Sequence, residues 1–185
     1  MVAVTPSLSF FTNIPNVKGV KFNVGATGIK YKDRSDLLFM VFDEGTTAAG
    51  CYTKSSITAP SVDLCKQNTP AKSARALVVN SGNANCFTGQ KGVEAVKNII
   101  AKTAEIVGCK EEEVLTSSTG VIGEYLREDL ITDMLPAIYD TMNDNQWEKA
   151  GRAIMTTDNF YKVVSKLTNI GGKPIIINGI AKGSG

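Results

Sequence analysis

The strongest constraint on this 185-residue chain is the amphipathic stretch 92–108. Val93, Val96, Ile100, Thr103 and Val107 fall on one face at helical spacing, Lys97 and Glu105 lie on the other, and Gly108 is a natural stop. Such a helix must bury its stripe against something, and short apolar segments stand on both sides of it. Residues 75–79 read as a compact buried strand, and Val114-Leu115 as another, entered through the acidic turn 111–113. A second amphipathic pattern follows, marked by Leu126, Leu130, Ile131, Met134, Leu135 and Ile138, with Pro136 placed to kink it or end its first part. Strands alternating with helices over more than sixty residues predict an α/β (α+β layered) fold with mixed sheets packed on helices.

The flanking regions fit that plan. Residues 1–18, with Pro6, Pro15, Asn13 and Asn16, read as an irregular arm, and 19–185 as a single α/β domain. Before the first helix, 20–31 is strand-like with a bulge or turn at Gly25 and Gly28. Residues 37–42 form an apolar buried strand and 46–52 a third, so that the opening portion is expected to be an antiparallel meander with solvated charged turns. Residues 61–72 suit a short helix. After the second amphipathic pattern, 147–154 predicts a third helix with Trp147, Ala150, Gly151 and Ile154 on one face. Residues 161–168 and 174–181 then predict a β-hairpin turned at Gly171-Gly172.

Charge, hydropathy and cysteine usage exclude several functions. A net charge of +2 with interspersed signs offers no basic stripe for nucleic acid. No apolar run approaches the roughly 18 residues of a membrane span, and neither a signal peptide nor a transit peptide is visible. Cys51, Cys65, Cys86 and Cys109 are widely spaced without a paired motif, which points to reduced thiols and away from structural zinc. The chain has no histidine. Ser-His-Asp and Cys-His chemistry are therefore out, and any general base must be a carboxylate, a lysine, an amino terminus or a group on another chain. Walker A and G-x-G-x-x-G patterns are also missing.

Three places could carry chemistry. The corner Thr116-Ser117-Ser118-Thr119-Gly120-Val121-Ile122-Gly123 runs from a strand toward a helix, where backbone N–H groups and hydroxyls meet an anion. Thr119 and Gly120 would there stabilise an oxyanion; the simpler reading makes Ser118 or Thr119 a helix N-cap. Thr157 and Asp158 follow a helix end, either as a cap or turn pair or as a hydroxyl contact to a polar substrate. Lys182, flanked by small residues, could meet a substrate carboxylate or be merely solvated. The Asn- and Gly-dense stretch 80–86 reads as a tight loop, or else as a structured wall near a site. The terminal Lys182-Gly183-Ser184-Gly185 has the composition of a connection, so it is either a frayed end or a sign that the fold continues in a second polypeptide.

Four ordered motifs, Asn80-Ser-Gly-Asn-Ala-Asn85, Ser118-Thr-Gly-Val-Ile-Gly123, Ala153-Ile-Met-Thr-Thr-Asp158 and Gly179-Ile-Ala-Lys-Gly-Ser-Gly185, closely resemble the ornithine acetyltransferase (glutamate N-acetyltransferase) family. The resemblance runs from about Gly19 to the last residue; the N-terminal arm lies outside it, and the turn 169–173 departs in expected length. It implies a self-cleaving precursor whose β chain begins with a nucleophilic Thr that uses its own α-amine as base. The enzyme would carry acetyl from N-acetylornithine to glutamate in arginine biosynthesis. This chain would be the α subunit, unstable without its β chain and assembled as α2β2 or larger, in the cytoplasm or, in a eukaryote, the mitochondrion. Thr119 and Gly120 match the family's oxyanion pair; Thr157 (or its neighbour Thr156) and Lys182 match substrate-contacting residues. No cofactor or metal is implied, and acetyl-CoA enters only as a co-substrate used by some members. Two other outcomes remain open: a related self-cleaving amidohydrolase or aminopeptidase, and a non-catalytic amino-acid-binding protein.

Overall fold

The computed structural model describes residues 14–69 and 73–183. A four-stranded sheet is built from β1 (Val20–Gly25), β2 (Leu37–Phe42), β3 (Ala76–Asn83) and β4 (Val114–Val121), side by side in that order. The first two pairings are antiparallel and β3–β4 is parallel. Helix α2 (Gly89–Val107) makes the crossover that a parallel pair requires. Around the sheet lie α1 (Pro60–Asn68), α3 (Glu128–Asp140), α4 (Trp147–Ala153) and a hairpin of β5 (Lys162–Ile170) and β6 (Lys173–Ala181).

Alternation along the strands divides the core into two layers. Leu37, Phe39, Val78 and Val114 face α2 and α3 and pack with Val96, Ile99, Ile100, Ile131, Leu135 and Ile138. Phe22, Leu38 and Met40 face the opposite way onto Trp147, Ala150, Ala153 and Val163. The Phe22 and Trp147 rings meet at 4.8 Å between centroids, which fixes α4 on the second face. The α2 stripe is buried at Val96, Ile100 and Thr103 as its spacing predicts, with Val93 and Val107 half-buried at its ends. Gly25 lets α3 approach β1: a Cβ there would stand 2.7 Å from Ile138 Cδ1.

Several expectations are corrected. Residues 46–52 are not a strand: only Thr47 forms a bridge, to Ser73, and Tyr52 instead bonds the Cys65 carbonyl at 3.1 Å. The third strand of the antiparallel run is β3. The turn 33–36 is not simply solvated, because Asp36 is fully buried. Its carboxylate accepts bonds from Thr27 N (2.6 Å), Thr27 Oγ1 (2.9 Å) and Ile29 N (3.1 Å), which holds the loop after β1. β3 runs four residues beyond the apolar segment, through Asn80–Asn83, and β4 continues through Val121. The stretch 116–121 is thus a strand, not a corner entering a helix, and helix α3 begins seven residues later. The N-cap reading of Ser118 and Thr119 falls with it. Of the N-terminal arm, residues 14–17 carry no regular structure, and the rest lies outside the described residues, as do 70–72, the end of the helix expected over 61–72, and 184–185. All four cysteines are free, Cys51 exposed and Cys65 buried.

The parallel pair is unusually tight at its C-terminal end. Gly82 stands opposite Gly120, with a register shift between Gly82 and Asn83. Gly120 has φ +139°, and a Cβ on it would lie 2.5 Å from Asn83 N and closer still to the Gly82 carbonyl carbon. Gly28 has φ +76° but open space around it. Gly28→Ala should therefore cost only the left-handed backbone penalty, about 1 kcal/mol, and Gly120→Ala clearly more, because backbone cannot yield as a side chain can. Urea unfolding of the full-length protein compares them; equal losses would remove the close-approach argument.

Candidate functional site

Three of the expected site residues, Thr119, Gly120 and Lys182, meet at the C-terminal end of β4. Thr119 precedes the Gly82–Gly120 contact, half-buried, on the sheet face that also carries Ser81. Lys182 follows β6, whose last ladder partner is Ala181 opposite Lys162. Lys182 Nζ donates to Thr119 Oγ1 at 2.9 Å, joining residues 63 positions apart. Since the ammonium has only donors, Thr119 Oγ1 accepts here, and the hydroxyl hydrogen is directed elsewhere. Among the described residues no carboxylate lies within ion-pairing distance of Lys182. A cation without a counter-charge, beside a hydroxyl polarised as donor, is suited to hold an oxyanion or a carboxylate.

Thr157 is less directly placed. It sits exposed in the irregular segment after α4, and its side chain makes no hydrogen bond among the described residues. Thr156 is half-buried and gives its N–H to Asp158 Oδ2 at 3.2 Å. Asp158 connects this segment to the rest of the site. Its side chain is wholly buried, with Oδ1 accepting Lys162 Nζ (2.7 Å) and the Gly183 N–H (2.7 Å). Burial alone would raise its pKa, but the bonds from Lys162, Gly183 and Thr156 and the Lys162 charge outweigh it and hold the carboxyl well below the usual range.

The segment before Asp158 is tied to the sheet from the other side. Ser81 Oγ donates to the Ala153 carbonyl at 2.7 Å. The Arg34 guanidinium donates to Ser81 Oγ (3.2 Å) and to the Met155 carbonyl, and stacks 4.1 Å over the Tyr31 ring. The Asn-rich stretch is a wall whose amides are spent on backbone. Asn80 donates to Asn83 O, Asn83 to Glu124 O and Tyr125 O, and Asn85 to Gly92 O. Beyond the wall, Phe87, Ile122 and Tyr125 stand exposed, Phe87 with φ +60°.

Sequence reasoning did not single out Arg34, Ser81 or Lys162, and it placed Asp158 with Thr157 as a cap or turn pair or a substrate contact, not as a buried ion-pair partner. The spacing of Asp158 and Lys162 is the one signal that could have paired them; nothing local announces Arg34, whose partners lie 47 and 121 residues away. Among the described residues no group of three His, Cys, Asp or Glu side chains is placed to hold a metal ion, and no helix is long and apolar enough to cross a membrane.

Asp158 sets an acid dependence. Its folded pKa lies below its unfolded one, so the unfolded chain takes the proton first. Its stabilisation is complete above about pH 5 and is lost as pH falls through the unfolded value toward the folded one, at up to about 1.4 kcal/mol per pH unit. Asp158→Asn should lower stability at pH 6 and flatten the decline between pH 5 and 3. Urea midpoints across that range would show it, and parallel wild-type and variant curves would contradict it.

Comparison with known proteins bears on this arrangement. The model of a family described as the ArgJ family matches residues 21–185. The chain is similar to the arginine biosynthesis bifunctional protein ArgJ of Rhizobium meliloti, with 46% identity over 175 residues, 95% of this chain and 42% of that protein. Its likeness to the protein of the same name from Agrobacterium fabrum is 44% over 185 residues, covering 100% and 45%. The chain thus spans less than half the length of these relatives. Among solved structures it resembles the arginine biosynthesis bifunctional protein ArgJ of Bacillus halodurans (TM-score 0.83, 31% identity, 91% of this chain and 88% of that one). It also resembles an ornithine acetyltransferase of Mycobacterium tuberculosis complexed with ornithine (TM-score 0.79, 28% identity, covering 91% and 90%).

Proposed function

Because this chain belongs to the ArgJ family, we propose that it forms the α part of an acetyltransferase moving acetyl from N-acetylornithine to glutamate. The observation that carries the reading is the Lys182–Thr119 contact beside Gly120. In the proposed reaction a Thr at the start of a β chain, cut from the same precursor, attacks the acetyl carbonyl, its α-amine taking the hydroxyl proton. The negative oxygen of the tetrahedral intermediate is held by the Thr119 hydroxyl and Gly120 N–H. Collapse expels ornithine, which takes up the proton, and leaves acetyl-threonine. The glutamate amine then attacks the ester, and the Thr oxygen regains a proton as N-acetylglutamate leaves.

Lys182 has three donors and spends one on Thr119, which leaves two for a substrate carboxylate. Thr157 is proposed as a further substrate contact, its exposed hydroxyl being uncommitted. No resident cofactor is proposed; acetyl-CoA is proposed only as an alternative acetyl donor at the same site. The absence of histidine accords with an N-terminal nucleophile that supplies its own base.

A partner chain is supported by exposed apolar surface. Val164, Leu167, Ile170 and Ile177 are each at least half exposed on the β5–β6 hairpin, and a two-stranded ribbon with apolar residues on both faces is marginal in water by itself. A groove of about 520 Å³ runs between the sheet and this hairpin, lined by Met40, Leu77, Trp147 and Ile176. We propose that the β chain covers these surfaces in an α2β2 or larger assembly in the cytoplasm.

Intact-mass measurement of the full-length gene product after exposure to N-acetylornithine should find acetyl on the β chain; an adduct on the α chain overturns the assignment, and release of acetate without need of glutamate turns it into an amidohydrolase. Thr119→Ala should lower kcat by about 10²–10³. Unchanged kinetics would remove Thr119 from the oxyanion site.

A further inference from the structure

We propose that Asp158 is a positioning residue for the transfer step: by accepting the Gly183 N–H it fixes Lys182 against Thr119. The inference rests on the reading of Thr119 as an oxyanion donor.

Lys182 has two backbone supports. On one side Ala181 closes the β5–β6 ladder opposite Lys162; on the other Gly183 donates to Asp158 Oδ1 at 2.7 Å. Asp158 also takes the Lys162 ammonium on the same oxygen. One carboxylate therefore holds both sides of the hairpin's open end, and its second oxygen returns to Thr156 N–H. A charge partner for Lys162 alone would need neither the Gly183 bond nor complete burial.

The consequence falls on a flexible side chain. Lysine carries a large rotamer entropy on a four-carbon stem, and Lys182 is followed by glycine. Fixing the backbone on both sides limits where Nζ can go, and 2.9 Å from Thr119 Oγ1 is where it stands. Held there, the ammonium keeps the Thr119 hydroxyl hydrogen turned outward, and cooperative polarisation strengthens the bond that the hydroxyl can give. Without the clamp every reacting group is still present, but the hydroxyl's orientation is left to the motion of a free loop. Misplacement of that kind lowers turnover more than ground-state binding.

The test is a double-mutant cycle on the full-length protein, following acetyl transfer from N-acetylornithine to glutamate in wild type, D158A, T119A and the double variant. D158A should lower kcat by about 10–100-fold with little change in KM, and the double variant should be no slower than T119A alone. The Gly183 amide should be protected from hydrogen exchange in wild type and unprotected in D158A, whereas D158N keeps an oxygen able to accept that bond. If the losses of D158A and T119A multiply, or if D158A chiefly raises KM, Asp158 does not act through Thr119. Should D158A fail to accumulate as folded protein, D158E, which keeps the charge and displaces it, carries the same cycle. A wild type that transfers no acetyl overturns the acetyltransferase reading and this proposal with it; an active wild type with multiplicative losses overturns this proposal alone.

Discussion

The parallel pairing of β3 with β4 can reach its C-terminal end only because Gly120 carries no side chain there. A side chain at Gly120 would occupy the space of the Gly82–Asn83 peptide. The contact sets the position of Thr119, one residue earlier in β4, and so sets where a lysine arriving from β6 must stand to reach it. It also requires that the extended β3 be supported where its sequence turns from apolar to amide. Asn80 and Asn83 supply that support by bonding the backbone of the following turns, so the polar end of the strand stays buried without orphaned groups.

The outer edge of β4 is managed differently. α1 lies along it, and the Cys65 thiol seats against Thr116, accepting its N–H and donating to its carbonyl, each at 3.2 Å. A thiol is a weak partner in both senses, but it fills both backbone positions with one compact side chain in an apolar setting, where a missing partner would cost more than a weak one gives. At Thr116 the edge is thereby closed to further pairing. The opposite treatment at the hairpin, where Leu167 and Ile170 are left exposed, marks that region as the place where more protein is expected to pack.

Periodicity made the helices and the hairpin legible because each buries one stripe or has a turn of fixed chemistry. α2 is found within a few residues of its stripe, and the Gly171-Gly172 turn has φ of +59° and +81°, as a two-residue hairpin turn demands. Thr119, Gly120 and Lys182 came from ordered motifs, and geometry puts Thr119 and Lys182 in contact. What stayed hidden was structure made by distant partners. Segments 80–83 and 116–121 are rich in Asn, Ser, Thr and Gly, which read as loop until the ladder between them is known. Residues 46–52 look like a strand in composition, yet the neighbour they would need is occupied: β2 pairs with β1 and β3 on its two sides. Asp36 looked solvated because nothing in its own turn reveals that Thr27 and Ile29 converge on it.

Charge at this site is legible in the sequence only in part. Lys162 and Lys182 are both lysines near the ends of one hairpin, and composition cannot rank them. The structure separates them by what each faces. Lys162 meets the buried Asp158 carboxylate at 2.7 Å and is neutralised there. Lys182 meets a hydroxyl and keeps its charge uncompensated among the described residues. A buried carboxylate without such a partner would cost several kcal/mol, so the Asp158–Lys162 pair is required for burial to be tolerated at all. Once Lys162 is committed to that pair, the remaining charge of the hairpin end is the one beside Thr119. The separation of structural from available charge, one ammonium spent to hold a loop and the other left facing a polarised hydroxyl, gives this end of the sheet its capacity to hold an anion.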